Sequence, residues 1–191
     1  MLIDILKDTR SIRLFDFDSK VPDEILKKSI ETSIFAPSIY NFQPLKYRII
    51  SDDNTCDKIF NMLSWGKRLK GWEGPKPHER PSSYILVVND SSIIKDHNRV
   101  WLDVGSTTQI IRMVLAKEGY GSCLLGSFDI EKLKEVLKLD ENFVPMIIVA
   151  IGKPIEKCIT ENMKISNSTA YYNDSEGVHH VPKRSLEEIL I

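Results

Sequence analysis

The stretch Tyr84-Ile85-Leu86-Val87-Val88 is an unbroken apolar run between Ser82-Ser83 and Asn89-Asp90. A strand with one wet face alternates apolar and polar residues. A continuous run rich in branched side chains needs cover on both faces. It therefore reads as an interior strand of a sheet with packed layers on either side. Val144–Ile151 downstream, closed by Gly152-Lys153-Pro154, repeats the pattern, and Leu45–Ile50 upstream adds another strand.

The segments between these runs read as helices. A short one covers Leu2–Asp8. A clearer one begins at Pro22, with Asp23 and Glu24 in its first turn, where they favour the helix dipole. Its buried stripe is expected to be Ile25, Leu26, Ser29, Ile30, Ser33 and Ile34, and Pro37 ends it. Asp52 to Asn54 caps a third helix carrying Ile59, Phe60, Leu63 and Trp65. A long helix is expected from about His97 to Glu118, with Trp101 in its apolar face and Gly105 permitting close helix approach. Gly119-Tyr120-Gly121 stops it, a short strand Ser122–Leu125 follows, and Asp129 caps a helix from Ile130 to Leu139. The segment 66–82, with glycines, prolines and Trp72, reads as a long loop of the kind that forms lids or binding sites. From about residue 153 the chain turns polar and irregular, an arm rather than a domain, with a last helix at Ser185–Leu190. The expectation is one α+β domain over residues 1–191: a mixed sheet of four to five strands packed by helices.

Length allows one sizeable core. The net charge of -1, spread along the sequence, argues against a nucleic-acid or membrane-surface binder. No apolar run is long enough to span a bilayer, and the N-terminus interrupts its apolar residues with acids, unlike a signal peptide. Three widely spaced cysteines, Cys56, Cys123 and Cys158, fit a reducing cytoplasm better than a disulfide frame or a zinc site. The four histidines lack metal-ligand spacing. Neither a dinucleotide fingerprint, a phosphate loop nor a hydrolase elbow occurs, and Asp103 has no partner acid in the sequence.

Four weak motifs remain. Arg10-Ser11-Ile12-Arg13 sets two guanidiniums beside a hydroxyl, a phosphate fork or simply a solvated basic turn. Ala36-Pro37-Ser38-Ile39-Tyr40-Asn41-Phe42-Gln43-Pro44 is a rigid loop whose carboxamides both donate and accept, which suits a planar heterocycle. Gly126-Ser127-Phe128-Asp129 leaves a strand end open to a flat ligand. Lys183-Arg184 adds cations to the tail.

In this order and spacing, the four motifs resemble the nitroreductase family of flavin enzymes over nearly the whole length. The resemblance implies a homodimer with two flavin mononucleotide (FMN) sites at its interface, and a domain-swapped C-terminal arm embracing the other subunit. Arg10 and Ser11, joined by Lys183 and Arg184, would hold the phosphate or ribityl end. Arg13 would reach the pyrimidine edge of the ring. Pro37, Ser38, Ile39, Asn41 and Gln43 would approach from the other subunit. Leu124, Leu125 and Gly126 would line the ring near N5. The implied activity is hydride transfer from NADH or NADPH to flavin N5 and on to a nitroaromatic, quinone or similar small-molecule acceptor, by a ping-pong scheme with no protein acid or base. Relatives with flavin binding or sensing, reductive dehalogenation or flavin-modifying chemistry form the alternative.

Overall fold

A computed structural model describes residues 1–66, 69 and 71–191. Its centre is a five-stranded sheet: β1 (Phe15–Asp16), β2 (Leu45–Ile50), β3 (Ser83–Asp90), β4 (Gly121–Leu125) and β5 (Phe143–Pro154). The order is β1-β5-β3-β2, with β4 also on β5, and every named ladder is antiparallel. β3 lies between β2 and β5, and all its residues are buried.

Alternation along β3 distributes its side chains to two cores. Tyr84, Leu86 and Val88 pack with Cys56 and Ile59 of α3 (Asp53–Met62) and with Leu133 and Leu137 of α5 (Ile130–Leu137). Ile85 and Val87 pack with Leu26 of α2 (Asp23–Ser33) and with Val104, Ile111 and Leu115 of α4 (Trp101–Lys117). The fold is thus a sheet between two helical layers, as the apolar run requires. Burying each such aliphatic side chain contributes about 1.5–3 kcal/mol.

Local signals fix several helix ends. Asp52 accepts from the Thr55 amide at 2.9 Å, and Asp129 from the Lys132 amide at 3.1 Å. α1 (Leu2–Asp8) matches its expected span. α5 stops before Leu139 because Lys138 takes a left-handed conformation. Two residues expected in the core are not there: Ile34 caps α2 and is 66% exposed, and Trp101 is 46% exposed. Among the described residues, nothing lies within 4 Å of where a Cβ on Gly105 would stand, so no described helix approaches it. The segment 66–82 contains a 3-10 turn, Pro77–Glu79; residues 67, 68 and 70 lie outside the described set.

The tail departs most from expectation. β6 (Cys158–Asn162), β7 (Tyr172–Asn173) and β8 (His179–Lys183) form a second sheet in the order β6-β8-β7, with α6 (Met163–Ser166) between β6 and β7. β6 and β8 run parallel, β7 and β8 antiparallel. Its cross-links are polar, so no apolar run announces it. His180 Nδ1 faces Glu161 Oε2 at 2.9 Å, its Nε2 faces Asp174 Oδ2 at 3.0 Å, and its ring stacks on Tyr172 at 4.7 Å. Instead of the expected helix, Ser185–Leu190 forms successive turns.

Built on Gly152, a Cβ would lie 2.9 Å from Phe15 Cδ1, a contact with a ring that cannot easily yield. Gly152→Ala should lower unfolding stability by about 1–3 kcal/mol in denaturant titration. His180 needs a proton on both nitrogens, because carboxylates only accept, and hydrogen bonds to Asp174 and Glu161 raise its pKa from 6.5. That stabilisation is full below the ordinary histidine value and is lost as pH rises through the elevated one. Hydrogen exchange in residues 158–183, corrected for intrinsic rates, should therefore be faster at about pH 9 than at about pH 6, and His180→Gln should remove the difference.

Candidate functional site

The Arg10–Arg13 cluster is built into the fold and is no solvated turn. α1 ends as Thr9 Oγ1 donates to the Ile5 carbonyl and Arg10 Nη2 to the Leu6 carbonyl, both at 2.6 Å. Ser11 then bridges to Ser122, and the Ile12 amide donates to the Ser122 carbonyl at 3.0 Å, which pins the segment against β4. Arg13 is buried. Arg10, Ser11 and Arg13 open onto a cleft of about 330 Å³ that also takes Gln109 and Arg112 from α4, and Tyr171, His179 and Lys183 from the tail.

Among the described residues, four cations (Arg10, Arg13, Arg112 and Lys183) line this cleft, and no carboxylate does. Arg112 is held by Nε donating to Ser122 Oγ at 3.3 Å, and burial pushes its pKa down. The sequence reading missed Arg112 and Gln109; the available signal was a cation and an amide among the apolar residues Ile110, Ile111 and Val114 of a long helix. Arg10 Nε is buried without a hydrogen-bond partner among the described residues. Such an unsatisfied donor, in a wall of donors, suits an anion with several acceptor oxygens.

The Asn41–Gln43 loop lies at a different cleft, of about 300 Å³, lined by Pro37, Ser38 and Gln43 with Asp103 and Thr107 of α4. Asp103 is 1% exposed, and its carboxylate oxygens accept the Ile39 amide at 3.1 and 3.2 Å. This bond is its role: the acid that lacked a partner in the sequence ties the loop to α4. Burial raises its pKa. The loop is tightly coiled, with Tyr40, Asn41 and Gln43 at φ of 47°, 58° and 50°. Asparagine tolerates that region; tyrosine and glutamine do so at a cost. Ser38 Oγ accepts the Gln43 amide at 3.1 Å, and Gln43 Nε2 donates to Asn41 Oδ1 at 3.3 Å. Asn41 itself stands exposed beyond the cleft wall. Around the loop, Phe35, Tyr40, Phe42 and Leu102 expose 54–85% of their surface.

Within one chain the two halves of the expected site are therefore apart. Asp103 and Thr107 are one helical turn apart on α4, and Gln109 and Arg112 lie on nearly the opposite face, since two residues turn a helix by about 200°. The strand-end residues stand outside both clefts. Leu125 is 7% exposed and faces the α3–α5 core, Leu124 packs on the α2–α4 side, and only Gly126 is exposed. A Cβ on Gly126 would meet nothing within 4 Å, so the packing of this chain does not demand glycine there. Lys183 reaches the cationic cleft; Arg184 is not in its wall. Among the described residues, no three His, Cys, Asp or Glu side chains group as a metal site, and no helix is long and apolar enough to cross a membrane.

The chain matches the Nitroreductase family over residues 6–153. It is 28% identical over 150 residues to a provisionally named NADH dehydrogenase/NAD(P)H nitroreductase of Archaeoglobus fulgidus, covering 76% of this chain and 80% of that protein. Identity to an iodotyrosine deiodinase of Thermotoga neapolitana is 25% over 170 residues, covering 81% and 89%. In structure it is similar to a provisionally named nitroreductase in complex with FMN from Desulfovibrio desulfuricans, with a TM-score of 0.70, 22% identity and coverage of 100% and 95%. A match over residues 6–153, together with the sheet and helices that those residues form, makes this chain a member of the Nitroreductase family.

Proposed function

We propose that the protein is an FMN-dependent NAD(P)H oxidoreductase of the cytoplasm that reduces a nitroaromatic, quinone or similar small molecule by a ping-pong scheme. The observation that carries this reading is the cleft that, among the described residues, has four cations, a buried unsatisfied Arg10 Nε and no carboxylate. Such a donor set fits a phosphate. FMN, when bound, supplies the hydride acceptor and donor at N5. Arg10, Ser11 and Lys183 hold the phosphate and ribityl end, with Arg112 as a further donor and Arg184 close in sequence. Arg13 faces the pyrimidine edge. Leu124, Leu125 and Gly126, at the strand end, would line the ring near N5. The complete site belongs to a homodimer, with Pro37, Ser38, Ile39, Asn41 and Gln43 supplied by the second subunit. The separation of the two clefts on α4 and the exposed Phe35, Tyr40, Phe42 and Leu102 around the loop support that assignment. The tail, from about residue 153, embraces the second subunit. Three free cysteines accord with a reducing compartment.

A second reading, reductive dehalogenation of an aromatic substrate, rests on the relative named as an iodotyrosine deiodinase. Iodide release against nitroaromatic loss, measured side by side, separates the two. Stopped-flow mixing of FMN-loaded protein with NADH and with NADPH should bleach the flavin faster than free FMN; bleaching at the free-flavin rate would favour a binder without turnover.

Purified protein should take up FMN with a visible flavin spectrum, and a protein that stays colourless when supplied with FMN removes the proposal. Arg10→Ala should weaken FMN binding by about 1.5–3 kcal/mol in a fluorescence titration, the loss expected for one charge-assisted contact. Asp103→Ala leaves the Ile39 amide without its acceptor and should lower stability by about 1–3 kcal/mol. It should also weaken FMN binding, although Asp103 does not line the cationic cleft.

A further inference from the structure

Arg13 is a buried cation with no carboxylate on its guanidinium among the described residues. Nη1 donates to the Ser11 carbonyl at 3.2 Å and to His179 Nε2 at 3.2 Å, and the guanidinium lies over the Tyr171 ring at 4.8 Å. Glu156 is close by, but its Oε1 accepts the backbone amides of Arg13 and Leu14 instead. All three guanidinium partners are thus neutral, or are held neutral by what surrounds them.

The state of His179 follows from donors and acceptors alone. A guanidinium can only donate, so Nε2 must carry no hydrogen. The proton therefore sits on Nδ1, which donates to Asn173 Oδ1 at 2.6 Å. Asn173 on β7 and His179 on β8 are register partners, so the second sheet itself sets this bond. Tyr171 packs on the ring at 5.4 Å, and His179 is 2% exposed. Burial, with the Arg13 charge beside it, holds its pKa down at about 4.

We propose that His179 is a positioning residue: a neutral acceptor that fixes Arg13 at the cleft wall without cancelling its charge. An acid at this position would pair with the guanidinium and neutralise it. An apolar residue would leave Nη1 with only the Ser11 carbonyl as acceptor and the guanidinium freer to turn away. A neutral imidazole, locked in one tautomer by Asn173, holds the fork still and leaves a full positive charge for an anionic ligand edge. Resting on the FMN reading above, that edge is N1–C2=O of the ring, where reduction places negative charge.

The test has one arm that needs no flavin. Long-range 1H–15N NMR of the FMN-free protein should show His179 as the neutral Nδ1–H tautomer down to about pH 5. A histidinium, or an Nε2–H tautomer, overturns the inference whether or not FMN binds. In the loaded protein, His179→Phe should lower FMN affinity roughly tenfold and lower the flavin midpoint potential. His179→Gln, another neutral acceptor, should restore the potential, and His179→Glu should keep affinity low and depress the potential. With Arg13→Lys already present, His179→Phe should add little, because its effect passes through Arg13. Wild-type affinity and potential in His179→Phe, or additive losses in the pair, overturn it. A wild-type protein that takes up no FMN but shows the expected tautomer overturns only the cofactor reading.

Discussion

The rest of the structure depends on β3 pairing with β5 while both faces of β3 are covered. No residue of β3 is exposed, so its backbone must be paired on both sides and its side chains divided between two cores. That demand places α3 and α5 on one face and α2 and α4 on the other. β5 also takes β4 and, beyond the end of the β3 ladder, β1. Close packing at the C-terminal end of β5, where Ile12 meets Gly121 and Phe15 meets Gly152, draws the N-terminal segment across the sheet. Arg10, Ser11 and Arg13 stand at the cationic cleft because of this crossing.

α4 is the second constraint. One flank holds the loop through the Asp103 carboxylate, and the opposite flank lends Gln109 and Arg112 to the cationic cleft. A single rigid helix therefore sets the geometry of both. It also separates them, so no rearrangement of side chains within one chain would merge the two. The physical economy lies in rigidity: a long helix packed on an interior strand moves little, and groups on it are held for binding in advance.

The tail contributes through polar rather than apolar chemistry. His180 is clamped as a cation between two carboxylates, and its neighbour His179 is held neutral between an amide and a guanidinium. Adjacent residues on one strand point to opposite faces, so identical side chains meet opposite electrostatic surroundings. One stabilises the small sheet; the other reaches Arg13.

From the sequence alone, the interior strand, the two strands that the fold pairs with it, the covering helices and two of their caps were determined. These follow from local rules: apolar period, Pro22 at a helix start, and Asp52 and Asp129 as caps. The order of four motifs also carried the resemblance to the family, although each was ambiguous by itself. The two-residue β1 and the polar sheet of the tail were not legible, since two residues carry no period and ladders cross-linked by His, Glu, Asp and Tyr carry no apolar signature. The sequence could not reveal that Asp103 holds the Ile39 amide, 64 residues away along the chain, or that Arg112 joins Arg10. Nor could it distinguish His179 from His180. Those are long-range pairings, fixed only when the sheet brings distant segments into hydrogen-bond reach.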